Sequence, residues 1–271
     1  GTNNIYVVHQ AKAVGTIDPA VGSTLDLNGA AELILDADAD TTIAADTDDQ
    51  IDLKVGGTDV VTLTNSNLVL KGTTPTLTIG DAGAEDTKIV FDGNAQDYHI
   101  GLDDSADTLV IGKGSALGTT TSMSFDANGI ITKPLQPCFF VYKSSSQDVD
   151  TTNTTDITFD TERFDLNSDF GSNVFTAPVT GKYHFSASVG YVNAQAGGNI
   201  MVYFQVSNAE ILAHRKDAGS DDSVYGTGQI SVVIDMDASD TCKLQIDTNT
   251  DGDYAVESAV YRTYFSGYLV A

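Results

Sequence analysis

The sequence has no tryptophan, five prolines and two cysteines in 271 residues. Cys138 and Cys242 allow at most one bridge, which excludes the disulfide framework that staples small secreted domains. Both lie inside strand-like runs, and two free thiols are expected. Basic residues are also scarce, 13 against 38 acidic ones, for a formal net charge of −25. The deficit is spread along the chain: residues 1–137 carry 20 acidic and 6 basic groups (net −14), and residues 138–271 carry 18 and 7 (net −11). Such a surface repels phosphate backbones and anionic lipid, so neither nucleic acid nor membrane insertion is expected. Divalent cations, cationic groups and neutral glycans remain compatible with it. No apolar run reaches the ~18 residues of a membrane-spanning helix. The chain opens on Gly1 rather than methionine, and a native protein that extends further toward its N-terminus is expected.

Catalytic signatures are missing as well. His9, His99, His184 and His214 are far apart, and neither cysteine has a partner at zinc-ligand spacing. The stretch "GKGSALG" (112–118) lacks the Gly-Lys-Ser/Thr ending of a phosphate-cradling loop and reads as a turn. No Gly-x-Ser-x-Gly elbow occurs. The expectation is a protein that is not an enzyme, although paired carboxylates of the glycosidase type remain open among so many acids.

What is present divides sharply. Of 22 Phe and Tyr residues only Tyr6, Phe91, Tyr98 and Phe125 precede residue 138. The shift falls at "TKPLQP" (132–137), where two prolines favour an extended connector. Two domains are therefore expected, 1–135 and 136–271. The first reads as short alternating strands, "ELILD", "QIDLKV", "DVVTLT", "NLVLK", "TLTIG", "KIVF", "YHIGL", "TLVIG", "SMSF" and "GIIT", after "TLDL" (24–27) and an ambiguous "NNIYVVHQAKAV". The turns between them are Gly, Asp and Asn, with "VGGT" and "FDGN" as hairpins. Strands of four to six residues with Leu, Ile and Val on one face need a cover that this half lacks. Three copies around one axis would supply it, so a trimeric β-rich shaft is expected, with a monomeric solenoid or sandwich as the alternative. The run "DADADTTIAADTDDQID" (36–52) is either a cation site or a solvated strand edge.

The second half reads as ten longer alternating runs, an antiparallel two-sheet sandwich. In "GKYHFSASVGY" Tyr183, Phe185, Ala187, Val189 and Tyr191 share one face, with His184, Ser186 and Ser188 on the other. "DTNTDGD" matches the first half of a calcium loop through Asp247, Asn249, Asp251 and Gly252, with Asp253 beside them. The twelfth position is Ser258 rather than glutamate, and a plain Asn/Asp/Gly turn is the competing reading. Loops at 143–156 and 214–228 are long and polar; Arg215, Lys216 and Tyr225 in the second suit glycan or protein contact.

"ITFDTERFDLNSDF…NVFTAPVTGKYHFSASV", "VYFQVSNAEI", "ISVVIDMDASDTCKLQI" and the terminal "TYFSGYLVA" together resemble the complement-globular-head branch of the tumour-necrosis-factor-like jelly rolls. The likeness spans about 138–271 and rests on Phe175, Pro178, Gly181, Tyr183, Phe185 and Phe265-Ser266-Gly267. It departs at "ASDT" (238–241), where only Asp240 of the usual Gly-Asp turn is kept. The first half is similar in composition to shaft segments of bacteriophage tail fibres. These resemblances imply an all-β homotrimer, a β-rich trimeric shaft followed by a jelly-roll head, with His184, Ser186 and Ser188 toward the threefold axis. Phe265, Gly267 and Leu269 would then face neighbouring subunits, with Tyr264, Tyr268 and Val270 inward. Three histidines near one axis would make assembly sensitive to pH. The implied role is a virion fibre that binds a host surface glycan or protein. The alternatives are a carbohydrate-active tail spike, a secreted or cell-surface bacterial adhesin, and a capsid decoration protein.

Overall fold

A computed structural model describes residues 32–194, 197–207, 209–217, 224–249 and 254–271. The described residues are all β, with no helix among them. The chain divides into two compact units, Gly1–Ile79 and Gly80–Ala271.

The first unit contains one antiparallel meander, β1 (Glu32–Ile34), β2 (Thr42–Ala44), β3 (Ile51–Val55), β4 (Thr58–Leu63) and β5 (Leu68–Leu70), in that spatial order. The β3–β4 hairpin turns on Gly56 and Gly57 at φ 59° and 72°, left-handed values that suit the "VGGT" expectation. Register carries one apolar row across all five strands, Leu33–Ile43–Leu53–Val61–Leu70, with Ile51–Leu63–Leu68 beside it. The strand β2 lies inside the aspartate-rich run, for which a cation site or a solvated strand edge was expected, and it pairs with β1 on one side and β3 on the other. "TLTIG" (76–80) forms no strand. "TLDL" and "NNIYVVHQAKAV" lie outside the described residues.

The second unit opens with a second meander of the same design, β6 (Thr87–Phe91), β7 (Tyr98–Asp103), β8 (Thr108–Lys113), β9 (Thr121–Phe125) and β10 (Ile131–Thr132). Its apolar rows are Ile89–Ile100–Ile111–Met123 and Leu102–Leu109–Phe125–Ile131. Phe91 and Tyr98 pair on the same face, so three of the four early aromatics gather there. The expected boundary at 135/136 falls between Thr132, where this sheet ends, and Cys138, where the next begins.

From Cys138 the chain forms a two-sheet sandwich. Its strands are β11 (Cys138–Tyr142), β12 (Gln147–Asp148), β13 (Thr155–Asp156), β14 (Thr161–Leu166), β15 (Phe170–Gly171), β16 (Val174–Thr176), β17 (Gly181–Ala194), β18 (Asn199–Val206), β19 (Ala209–Asp217), β20 (Val224–Met236), β21 (Thr241–Thr248), β22 (Ala255–Val256) and β23 (Tyr264–Leu269). One sheet runs β12-β22-β17-β23-β11-β14 with β20 on the free side of β17; the other runs β15-β16-β21-β18-β19 with β13 on β21. Tyr183, Phe185, Ala187, Val189 and Tyr191 are all buried between the sheets, as their alternation predicts. They meet Phe204, Leu244 and Ile246 from the facing sheet, and Phe139 stacks on Phe175 at 5.2 Å between ring centroids. Cys138 and Cys242 are free thiols; burial pushes both upward in pKa, Cys242 the further.

Candidate functional site

The candidate surface is the outer face of the sheet built on β17. Register lays three rows across β14, β11, β23, β17 and β20: Leu166–Cys138–Tyr268–His184–Val233, Phe164–Phe140–Ser266–Ser186–Ser231, and Thr161–Tyr142–Tyr264–Ser188–Gln229. None of these positions holds a lysine, arginine, aspartate or glutamate, in a chain of net charge −25. Phe140 stacks on Tyr264 at 5.5 Å and lies 6.2 Å from Phe164, while Phe164 and Tyr268 stand 42% and 47% exposed. The ring of His184 lies 5.0 Å from that of Tyr268, and its Nε2 is 2.9 Å from Ser231 Oγ. At one rim Lys182 Nζ pairs with Asp235 Oδ1 at 2.7 Å.

Two of the expected facings need correction. On β23 it is Phe265 that is fully buried, within 4.9 Å of Phe139 and 5.4 Å of Phe204. Gly267 is buried with it: a Cβ there would stand 2.5 Å from Phe185 Cδ1 and 2.8 Å from Phe139 Cε1. Leu269 packs on the same core. Phe265, Gly267 and Leu269 therefore turn into the sandwich, and Tyr264 and Tyr268 turn out, the reverse of the expected facing. The cause is space, since only a residue without a side chain fits where the two phenylalanines converge. Ser188 is the second correction. It shares the face of His184 and Ser186 but is sealed within the chain, its Oγ donating to the Arg262 carbonyl at 2.9 Å.

The expected ligand residues do not form one cluster. Arg215 lies on β19 of the other sheet, exposed, with its Nε 3.6 Å from Asp217 Oδ1. Lys216 pairs with Ile200 through its backbone, and its side chain is outside the described residues. Tyr225 is on β20, 68% exposed. The stretch 214–228, expected as a loop, is thus strand at both ends. The same end of β17 carries residues that sequence reading missed. Gly226 pairs with Tyr191 on one side of β17 while Glu257 N donates to the Gly190 carbonyl on the other. Beyond Glu257, Arg262 forms an ion pair with it and places its guanidinium 5.8 Å from the ring centroid of Tyr261, which is 76% exposed. That pairing raises the Arg262 pKa. The segment "VYRTYF" reads as continuous strand; its first residues instead form turns ending at the bonds from Arg262 N and Thr263 N to the Ala259 carbonyl. An Arg lying over an exposed Tyr is the sort of aromatic, cation-bearing corner that recognition surfaces use.

For the calcium reading, Asn249 Oδ1 accepts from Asn199 N at 2.9 Å and Asp247 Oδ1 from Thr248 N at 2.9 Å. Asp251 and Asp253 lie outside the described residues. In the first unit Asp36, Asp38 and Asp40 bring carboxylate oxygens within 4.8 Å of one another. Asp36 also accepts from Thr41 N at 3.2 Å, a bond that fixes the turn. At the other departure, Asp240 accepts from Asp237 N and Ser207 Oγ, holding the 237–240 turn with Ser239 at φ 76°.

The topology is that of a jelly-roll sandwich, and residues 138–270 match the family model described as the C1q domain. The C-terminal half is therefore a C1q domain of the tumour-necrosis-factor-like jelly-roll type. Among solved structures, the globular domain of zebrafish complement 1qA protein aligns at 18% identity and TM-score 0.39, covering 50% of this chain and 98% of that one. Murine APRIL at pH 8.5 aligns at 8% identity and TM-score 0.38, covering 50% and 99%. No curated protein matches the chain. Domains of this class are typically non-enzymatic, homotrimeric, ligand-binding and extracellular. Among the described residues no helix is long and apolar enough to cross a membrane.

Proposed function

We propose that this chain is a non-enzymatic homotrimeric fibre protein, with residues 1–135 as a β-rich shaft and 136–271 as a head that binds a host surface glycan or protein. The reading places it outside the cell, on a bacteriophage virion. One observation carries it: the uncharged, aromatic outer face across β14, β11, β23, β17 and β20. Copies of a strongly acidic chain repel one another everywhere except on a face without charge. That face is also wide, five strands across, and an aromatic surface of this extent marks an interface rather than solvated sheet. His184 and Ser186 then lie at or near the seam.

Ligand contact falls to the end carrying Tyr225, Tyr261 and Arg262. Three copies of a shallow site bind through effective concentration, and avidity gains of about 10²-fold are ordinary for such display. The test is the double variant Phe164→Asp with Tyr268→Asp, at wild-type fold by circular dichroism. It should melt the three-chain species at a lower temperature than wild type and weaken retention on host cells, by up to about that factor. Unchanged thermal stability of the three-chain species would refute the seam. Release of reducing sugar from host polysaccharide would instead favour a carbohydrate-active spike.

A further inference from the structure

Each meander buries its central side chains on one face and leaves the apolar rows of the other open. In β1–β5 the closed side is the polar one. Asp52 is 1% exposed on that side; it accepts from Thr62 Oγ1 and from Gln50 Nε2, and Lys71 Nζ stands 3.7 Å away. Lys54 bridges Glu32 and Asp46 at 2.8 and 2.9 Å above the same side. In β6–β10 the closed side holds His99 and Val110, both buried. The chain after β8 covers it: His99 Nδ1 is 2.8 Å from the Gly114 carbonyl, and Lys88 Nζ donates to the Ser115 carbonyl at 2.7 Å.

The open sides are the inverse. Leu33, Ile43 and Leu68 in the first meander, and Ile89, Phe91 and Tyr98 in the second, stand exposed on them. A folded sheet ordinarily turns such rows inward and its carboxylates outward. Here the carboxylate is sealed and the aliphatic rows are wet. The half-exposed side chains of the two faces together present on the order of 1,000 Å² per chain, the size class of a specific interface. Solvated monomers seldom leave patches beyond a few hundred Å².

The occupant must be apolar, pleated to match, and compatible with an acidic neighbour. A second copy of this chain meets all three conditions with the same face, because sheets pack face to face through interdigitating rows about 10 Å apart. We propose that the open faces of β1–β5 and β6–β10 are the surfaces on which copies of this chain associate, each face against its equivalents in sister copies. The number of copies rests on the homotrimer reading above; the faces themselves do not.

Cysteine cross-linking of the full chain in a Cys138→Ser background tests this. Oxidation of Ile43→Cys and, separately, of Ile111→Cys is expected to give covalent dimers on a denaturing gel, while Val69→Cys, equally exposed but on the opposite face of the first meander, stays single. Dimer from Ile43→Cys and Ile111→Cys no greater than from Val69→Cys would overturn the proposal. Adding Phe164→Asp and Tyr268→Asp separates it from the head seam. Cross-links that persist in that background support the meander faces, even if the three-chain species keeps its thermal stability and the head seam fails. Cross-links that vanish with the head variant would overturn the meander faces and leave the head seam standing.

Discussion

Asp160 shows how a single side chain organises a loop of the head. Burial works to raise its pKa, but hydrogen bonds from Ser145 Oγ and from the amides of Ser144 and Ser145 outweigh it and hold the carboxyl well below the usual carboxylate range. A depressed carboxylate adds stability above its unfolded pKa of about 4 and loses it as pH falls toward the folded value. The melting temperature of Asp160→Asn should therefore lie below wild type at pH 7, with the deficit shrinking as pH falls below about 4; an equal deficit at pH 7 and pH 2 would contradict this. Lys143 is the opposite case. Burial lowers its pKa while Asp160 raises it, and its Nζ donates to the Thr158 carbonyl and Oγ1 at 2.9 Å each. Neither role was visible in the sequence, because Lys143 and Asp160 sit at the edges of polar stretches that read as solvated loop.

At the scale of strands, alternation gave the inward face of β17 without ambiguity, since large apolar residues stand on one side and small polar ones on the other. It failed on β23 for a definite reason. "YFSGYL" carries a large residue on both faces, so size cannot assign parity, and the small Gly267 was the informative position. With an ordinary φ and no free space for a Cβ, Gly267→Ala should cost on the order of 1–3 kcal/mol through displaced rings. Urea unfolding that matched wild type would show that Phe185 and Phe139 can give way. Asp52 defeated the pattern differently: a polar residue at an alternate position reads as solvated, and its burial depends on Thr62, Gln50 and Lys71, which only the paired register brings together. β2 was hidden because three residues, "TIA", lie among aspartates that mark turns. Tyr261 and Arg262 were hidden by a run that looks like uninterrupted strand.

For the whole molecule, composition proved informative where motifs were not. The shift in aromatic content falls beside residue 138, where the match to the C1q domain begins, and the scarcity of charge on particular sheet faces stands out only against the acidic remainder. Among the described residues three broad apolar faces recur, one on each meander and one on the head, uncharged but for Lys113 beside Tyr98 on the second meander. Sedimentation equilibrium of the intact chain at micromolar concentration and neutral pH tests their common explanation directly. A mass three times the 28.5 kDa of one chain is predicted. A stable, fully folded species of 28.5 kDa under those conditions would contradict it.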